Sequence, residues 1–282
     1  MQVTNTIKET RQIIESYRSG GAGIGFVPTM GFLHEGHVSL IRRAKAENDH
    51  VVVSIFVNPT QFAPTEDLSA YPRDIENDLR ICKEAGVSLV FMPDKDEMYR
   101  QNNYTYVNVD TLGDNLCGKS RPTHFRGVCT VVAKLFNIIR PINAYFGLKD
   151  VQQGVIIKQM VADLDMEIAI HLCPTIREES GLAKSSRNSY LSEKEKDAAL
   201  ILYKCLTLAK EAIDGGESSA EVIKNILLEE IKKEALAKLD YLEIVDGNTL
   251  QEIEVIQEPY IIAIAVFIGK TRLIDNIIGG AL

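Results

Sequence analysis

Two histidines three residues apart mark the first place where this sequence can do chemistry. They sit in Pro28-Thr29-Met30-Gly31-Phe32-Leu33-His34-Glu35-Gly36-His37, which leaves a short apolar run and enters a segment of helical spacing. Gly31 and Gly36 let the backbone approach a ligand closely. His37 falls near a helix N-terminus, where N–H groups and the dipole favour anions, and His34 lies one turn earlier. Two imidazoles there can donate hydrogen bonds to phosphates and offset charge on a leaving pyrophosphate. The rival is a metal pair, which lacks the nearby His or Cys ligands that zinc requires; the plain alternative is two surface histidines on a turn. A second set is Lys184-Ser185-Ser186-Arg187-Asn188, after Thr175-Ile176-Arg177-Glu178. Two cations, hydroxyls and backbone N–H groups suit a polyphosphate, or else form a solvated basic loop.

These residues need a frame. Gly23–Pro28, Val51–Val57, Val87–Met92, Tyr145–Gly147 and Glu167–Leu172 read as apolar strands. Val38–Glu47, Tyr71–Ala85, Val128–Ile139 and Val151–Asp163 read as helices between them. Apolar strands alternating with helices predict a doubly wound α/β domain with a parallel sheet. In such sheets ligands sit at the carboxyl ends of strands, which singles out 29–37, 58–62, 147–153 and 174–188. After about Ser192 the texture changes. Glu193–Ile213 and Ala220–Ala237 predict long amphipathic helices; Asp240–Val245, Tyr260–Ile268 and Thr271–Ile278 predict strands with short, antiparallel connections. We expect a Rossmann-like domain over 1–175 and a smaller α+β domain, acting as a lid, over 176–282.

Composition removes several classes. The chain has 282 residues, 45% hydrophobic and 25% charged, with a net charge of -8. An acidic chain with no long basic run argues against duplex nucleic acid. Its longest apolar run, Tyr260–Gly269, is half a membrane span. Five widely spaced cysteines and no C-x-x-C predict free thiols in a reducing compartment. The N-terminus lacks the apolar core of a signal peptide. A cytoplasmic protein without a membrane partner is the expectation.

A histidine loop early and a basic, serine-bearing loop late is the arrangement of nucleotidyl-transferring enzymes of Rossmann-like fold. Further runs make the resemblance specific. Val27–Gly31 with His34–His37, Phe56–Phe62 (Phe-Val-Asn-Pro-Thr-Gln-Phe), Tyr71-Pro72-Arg73, Arg121–Val128, Phe146–Gln153 and Ser185–Asn188 occur in one order. Together they resemble the pantothenate synthetase family, over about residues 24–191. The resemblance implies an ATP-dependent ligase that condenses (R)-pantoate with β-alanine through a pantoyl adenylate, releasing AMP and pyrophosphate. It implies ATP contacts at Met30, Gly31, Phe32, Leu33, His34, Glu35, Gly36 and His37. Gly147, Leu148, Lys149 and Asp150 would join them, with Ile176 at the adenine and Lys184, Ser185, Ser186 and Arg187 over the phosphates. Gln61 and Gln153 would hold pantoate, and Gln61 would lie near β-alanine. His37 would be the principal acid-like group, with His34, Lys149 and Arg187 stabilising charge. Magnesium would bind through phosphate oxygens, with Asp78, otherwise a helix-surface carboxylate, as its protein-side contact. A homodimer is implied.

Glutamines that both donate and accept suit a substrate bearing hydroxyls and a carboxylate. Lys149 beside Asp150 is either a phosphate ligand or an exposed ion pair, and spacing gives Arg121 and His124 no role. Two positions depart from the family: Leu148 replaces Glu and Lys184 replaces Met. Leu148 removes a charge; Lys184 adds one that would either tighten ATP or slow pyrophosphate release. The alternatives are a nucleotide adenylyltransferase of the same fold, whose phosphorylated acceptor would need cations where Gln61 and Gln153 stand, and a silent nucleotide-binding protein.

Overall fold

Branched and aromatic side chains dominate Ile24–Val27 and Val51–Val53, and these runs become the middle of a sheet. In the computed structural model, which describes residues 1–63, 66 and 68–282, six strands form it. They are β1 (Gln2–Thr4), β2 (Ile24–Thr29), β3 (His50–Ile55), β4 (Leu89–Phe91), β5 (Asn143–Gly147) and β6 (Ala169–Cys173). The order is β1-β4-β3-β2-β5-β6, and each neighbouring pair is parallel. The expected doubly wound α/β sheet is therefore present. From β2 the chain steps through β3 to β4 on one side, then crosses to β5 and β6 on the other. The carboxyl ends of β2 and β5 thus flank the switch point, where such sheets open a crevice for ligands.

Successive strand residues face opposite sides, so the sheet is covered on both. Val27, Val51 and Val53 pack with Leu40, Ile41 and Ala44 of the helix Glu35–Glu47. Phe26 and Phe146 instead meet Phe136 of the helix His124–Ile139 edge to face, at 6.3 and 6.5 Å. That second helix starts four residues earlier than its apolar periodicity indicates. Conversely, the helix expected over Tyr71–Ala85 spans only Ile75–Glu84, because the Asp74 side chain caps it by accepting from Asn77 N.

The chain divides into two compact units, Met1–Leu148 with Ile156–Pro174, and Lys149–Val155 with Thr175–Leu282. The second contains the helices Glu193–Asp214 and Ala220–Ile231 and the antiparallel strands β7 (Ala237–Asp246), β8 (Tyr260–Ile268) and β9 (Thr271–Gly279). Its core joins Leu202, Leu206, Ile223 and Leu227 to Ile244, Ile262, Ile264 and Val266. Ser192 and Glu195 close a reciprocal cap on the longer helix. Lys149–Val155, expected with the first domain, groups with this second unit, and the helix Val151–Asp163 passes from one unit to the other. Among the described residues no helix is long and apolar enough to cross a membrane.

Candidate active site

At the carboxyl end of β2 the backbone turns sharply. Gly31 and Phe32 both take positive φ, +83° and +51°, a conformation in which consecutive N–H groups converge on one acceptor. The acceptor is a carboxylate from the chain itself: Phe32 N and Leu33 N donate to the two oxygens of Asp78, at 2.9 and 2.7 Å. Asp78 is 1% exposed, so its expected place on a helix surface is corrected. Burial raises its carboxyl above the ordinary aspartate value, the Leu33 and Phe32 amides oppose the rise, and Asp74 adds to it. A Cβ at Gly31 would stand 2.9 Å from Asp78 Oδ2, so glycine is required both for φ and for room.

Four residues on, the helix Glu35–Glu47 begins with a reciprocal cap built from imidazoles. Gly36 N donates to Nδ1 of His34 at 3.1 Å, and His34 N donates to Nδ1 of His37 at 3.2 Å. A backbone N–H can only donate, so each Nδ1 must carry its lone pair. The proton of each neutral ring therefore sits on Nε2, the position suited to hydrogen-bonding an anion. A doubly protonated ring would lose its lone pair at Nδ1 and with it the cap. The rings lie 4.1 Å apart at 48°. The same loop thus fixes both rings and their tautomers.

Gln61 closes a 3-10 turn, Pro59–Gln61, whose start is the buried Asn58. Asn58 Oδ1 accepts from Thr60 N, Thr60 Oγ1 and the Tyr99 hydroxyl, and Asn58 Nδ2 donates to Gln61 Oε1 at 3.1 Å and to Gly127 O at 3.1 Å. The Gln61 amide nitrogen reaches Met30 Sδ at 3.1 Å, bringing together two residues expected in the site. Sequence spacing gave Asn58 no role of its own, although an Asn before Pro-Thr is a recognisable side-chain cap. Arg121 and His124 now have a place. Both donate to the Gln61 carbonyl, Arg121 Nη2 at 3.3 Å and His124 Nδ1 at 2.9 Å, and Arg121 pairs with Glu66. Gly127 lets that helix touch the turn, since a Cβ there would lie 2.4 Å from Thr60 O and 2.7 Å from Gln61 N. Gly127→Ala gains up to about 1 kcal/mol of helix propensity. The clash is with backbone, which cannot swing aside, and such overpacking costs about 1–3 kcal/mol. We expect a net fall in melting temperature, with the Gln61 turn displaced from the helix. An unchanged melting curve would show that the close approach does not hold the turn.

Gly147 ends β5, at the switch point. A Cβ built there meets no atom within 4 Å, so the absent side chain leaves open room rather than relieving a clash. Leu148 follows it, partly buried. In the second unit, Lys149 Nζ lies 3.5 Å from Asp150 Oδ1, a long contact with Asp150 half exposed. Gln153 is partly buried one helical turn after Lys149. Ile176–Lys184 forms a short antiparallel ribbon, in which Lys184 N donates to Ile176 O and Glu178 N to Leu182 O around the Arg177–Ala183 pair. Ser185 then caps the turn Ser186–Tyr190 by accepting from Arg187 N at 3.3 Å. Asn188 ties turn to ribbon through Glu178 and the Ala183 carbonyl.

All five cysteines are buried and unpaired with one another. Burial pushes the Cys82 and Cys129 thiols up to about 12 and Cys205 to about 11, and it also raises Cys173. Raised thiols are poor nucleophiles at neutral pH. Among the described residues no group of three or more His, Cys, Asp or Glu can hold a metal ion. Asp78, 1% exposed and with both oxygens taking backbone N–H groups, serves here to hold the loop.

Residues 2–278 match the family model described as pantoate-beta-alanine ligase. A pantothenate synthetase of Clostridium botulinum (strain Loch Maree / Type A3) is 55% identical over 276 residues, 98% of each chain. One of Clostridioides difficile (strain 630) is 56% identical over 270 residues, 96% of each. The crystal structure of pantothenate synthetase from Thermus thermophilus superposes with a TM-score of 0.93 at 42% identity, covering 98% of this chain and 99% of that one. The Francisella tularensis pantoate-beta-alanine ligase complexed with beta-gamma ATP and beta-alanine gives 0.81 at 38% identity, covering 99% and 97%.

Proposed function

We propose, for a chain that belongs to the pantoate-beta-alanine ligase family, that it forms pantothenate from (R)-pantoate and β-alanine by way of an acyl adenylate. The observation that carries the reading is the imidazole-capped helix start at the carboxyl end of β2, on the sheet's switch point. Such a start offers two Nε2–H donors, oriented by the fold, to a phosphate chain.

In the first step a pantoate carboxylate oxygen attacks the α-phosphorus of ATP. The bridging P–O bond breaks, and its electron pair leaves with pyrophosphate. His37 and His34 hydrogen-bond the phosphates, while Lys149, Lys184 and Arg187 supply positive charge. Ser185, Ser186, Gly147 and Asp150 line the nucleotide, and Ile176 meets the adenine. The carbonyl of Ile176 accepts from Lys184 N and keeps a second lone pair, so both its N–H and its carbonyl can meet the adenine. Gln61 and Gln153 orient pantoate. In the second step the neutral β-alanine amine attacks the acyl carbon, AMP departs with the shared oxygen, and the amine proton is lost to solvent. Positioning and electrostatics dominate, as they do in phosphoryl chemistry generally. Magnesium, when bound, screens charge on the phosphates, and here it would ride on phosphate oxygens and water rather than on a protein cage. A cytoplasmic homodimer is part of the same proposal.

Pantoate carrying ¹⁸O in both carboxylate oxygens should pass one label to AMP and keep one in the amide, with pyrophosphate unlabelled. Mass spectrometry of the three products decides it. Label in inorganic phosphate, with ADP formed, would overturn the adenylate route in favour of an acyl phosphate.

A further inference from the structure

The last strand, β9, lies in the part of the chain where the sequence shows no recognisable site motif. Two adjacent residues on it, Asp275 and Asn276, are nevertheless polar and buried, 3% and 7% exposed. Buried polar side chains need partners, and theirs are informative. Asn276 Nδ2 donates to the main-chain carbonyl of Lys149 at 2.9 Å. Asp275 takes a two-pronged bond from Arg177, with Nη1 to Oδ2 at 2.6 Å and Nη2 to Oδ1 at 3.0 Å. The same guanidinium donates to Gly181 O at 3.1 Å and lies over the Tyr203 ring, 4.7 Å from its centre. Arg177 is therefore held on its edge and on its face. It also sits within the ribbon whose outer rung joins Ile176 to Lys184. Asp275 Oδ1 further accepts from the Asn276 backbone N–H at 2.8 Å, which ties its carboxylate to the strand.

We propose that Asp275 and Asn276 are positioning residues for ATP. Asn276 fixes Lys149 through its carbonyl, and Asp275 fixes the Ile176–Lys184 ribbon through Arg177. The inference rests on the reading that Lys149, Ile176 and Lys184 meet the nucleotide. A two-residue step on one strand then sets the spacing between a phosphate-binding cation and the adenine-binding backbone, segments 27 residues apart by number (176 − 149). Neither residue need touch the ligand. Lys149 lies just past the end of β5, outside regular strand pairing, and its carbonyl anchor restrains where its side chain starts.

The test is a double-mutant cycle read in single-turnover adenylation and in substrate KM values. Asn276→Leu should raise the ATP KM and slow adenylation, each by about tenfold, as for a displaced binding group, and leave the pantoate KM within about twofold. In a Lys149→Ala background the same change should add less than about a twofold further loss, because the group it positions is gone. Asn276→Gln, which keeps an amide donor, should recover part of the rate. Should Asn276→Leu fail to fold, Asn276→Asp, of equal size but without the donor, runs the same cycle. Equal losses in both backgrounds, or losses shared equally by ATP and pantoate and tracking the folded fraction, would overturn the proposal. Lys149→Ala with normal ATP KM and adenylation would sink the underlying reading instead. A defective Lys149→Ala beside a normal Asn276→Leu would sink only the positioning role.

Discussion

His37→Ala should lower single-turnover adenylation by about 10²–10³-fold, the loss typical of one preorganised donor to a transition-state charge. Removing the ring also removes the acceptor for His34 N, which costs about 1 kcal/mol as for other N-cap losses. The two roles can be separated by shape. The side-chain oxygen of asparagine falls near where Nδ1 stood, so His37→Asn should restore the cap and the melting temperature but not the rate. The longer glutamine places an N–H near the former Nε2, so His37→Gln should recover more rate than stability. Rates in the order His37→Asn above His37→Gln would contradict the assignment of Nε2 as the donor.

Asp78→Ala should be the more damaging change to the fold. It leaves the Phe32 and Leu33 amides without their acceptor in a buried place, at about 1–3 kcal/mol each, for a total of roughly 2–6 kcal/mol. It also unpins the loop that carries His34 and His37, and adenylation should fall about 10²-fold in whatever fraction folds. The pH dependence has a definite sign. The folded state raises the Asp78 pKa, so it holds the proton more tightly than the unfolded chain does. This group's contribution to stability is then fully present below the ordinary aspartate value and declines as pH rises through the raised one. Asp78→Asn cannot ionise and should lack that decline. Urea midpoints of both proteins across the acid range measure it, and a constant gap between the two curves would argue against a raised carboxyl at Asp78.

Much of the first unit was legible because its strands are dense in valine and isoleucine and lie between helices of clear period. β2, β3 and β6 fall within about two residues of their expected bounds. β1 was not legible: it is three residues long, two of them exposed, and it exists only because Gln2–Thr4 finds β4. The helix expected to run to Ala237 stops at Ile231, since Ala237 already pairs with Ile268 in β7. Tertiary pairing overrides local propensity in both places. The histidine and serine loops announce themselves by composition. What holds them does not, because the holding bonds join positions far apart in sequence: Asp78 to Phe32 and Leu33, His124 to Gln61, Asn276 to Lys149. No local pattern encodes those pairs. The histidine tautomers were likewise hidden until the cap geometry fixed which ring nitrogen accepts.

The carboxylate under Gly31–Leu33 has a further consequence. A concave run of backbone amides after a strand is ordinarily a berth for an incoming anion, and here the berth is filled from within by Asp78. The loop therefore takes its shape when the chain folds, so on the function proposed above nucleotide would meet a surface that is already set. Little ordering entropy is left for the encounter to supply at this loop, and association there should proceed at a rate set by diffusion and charge rather than by loop rearrangement.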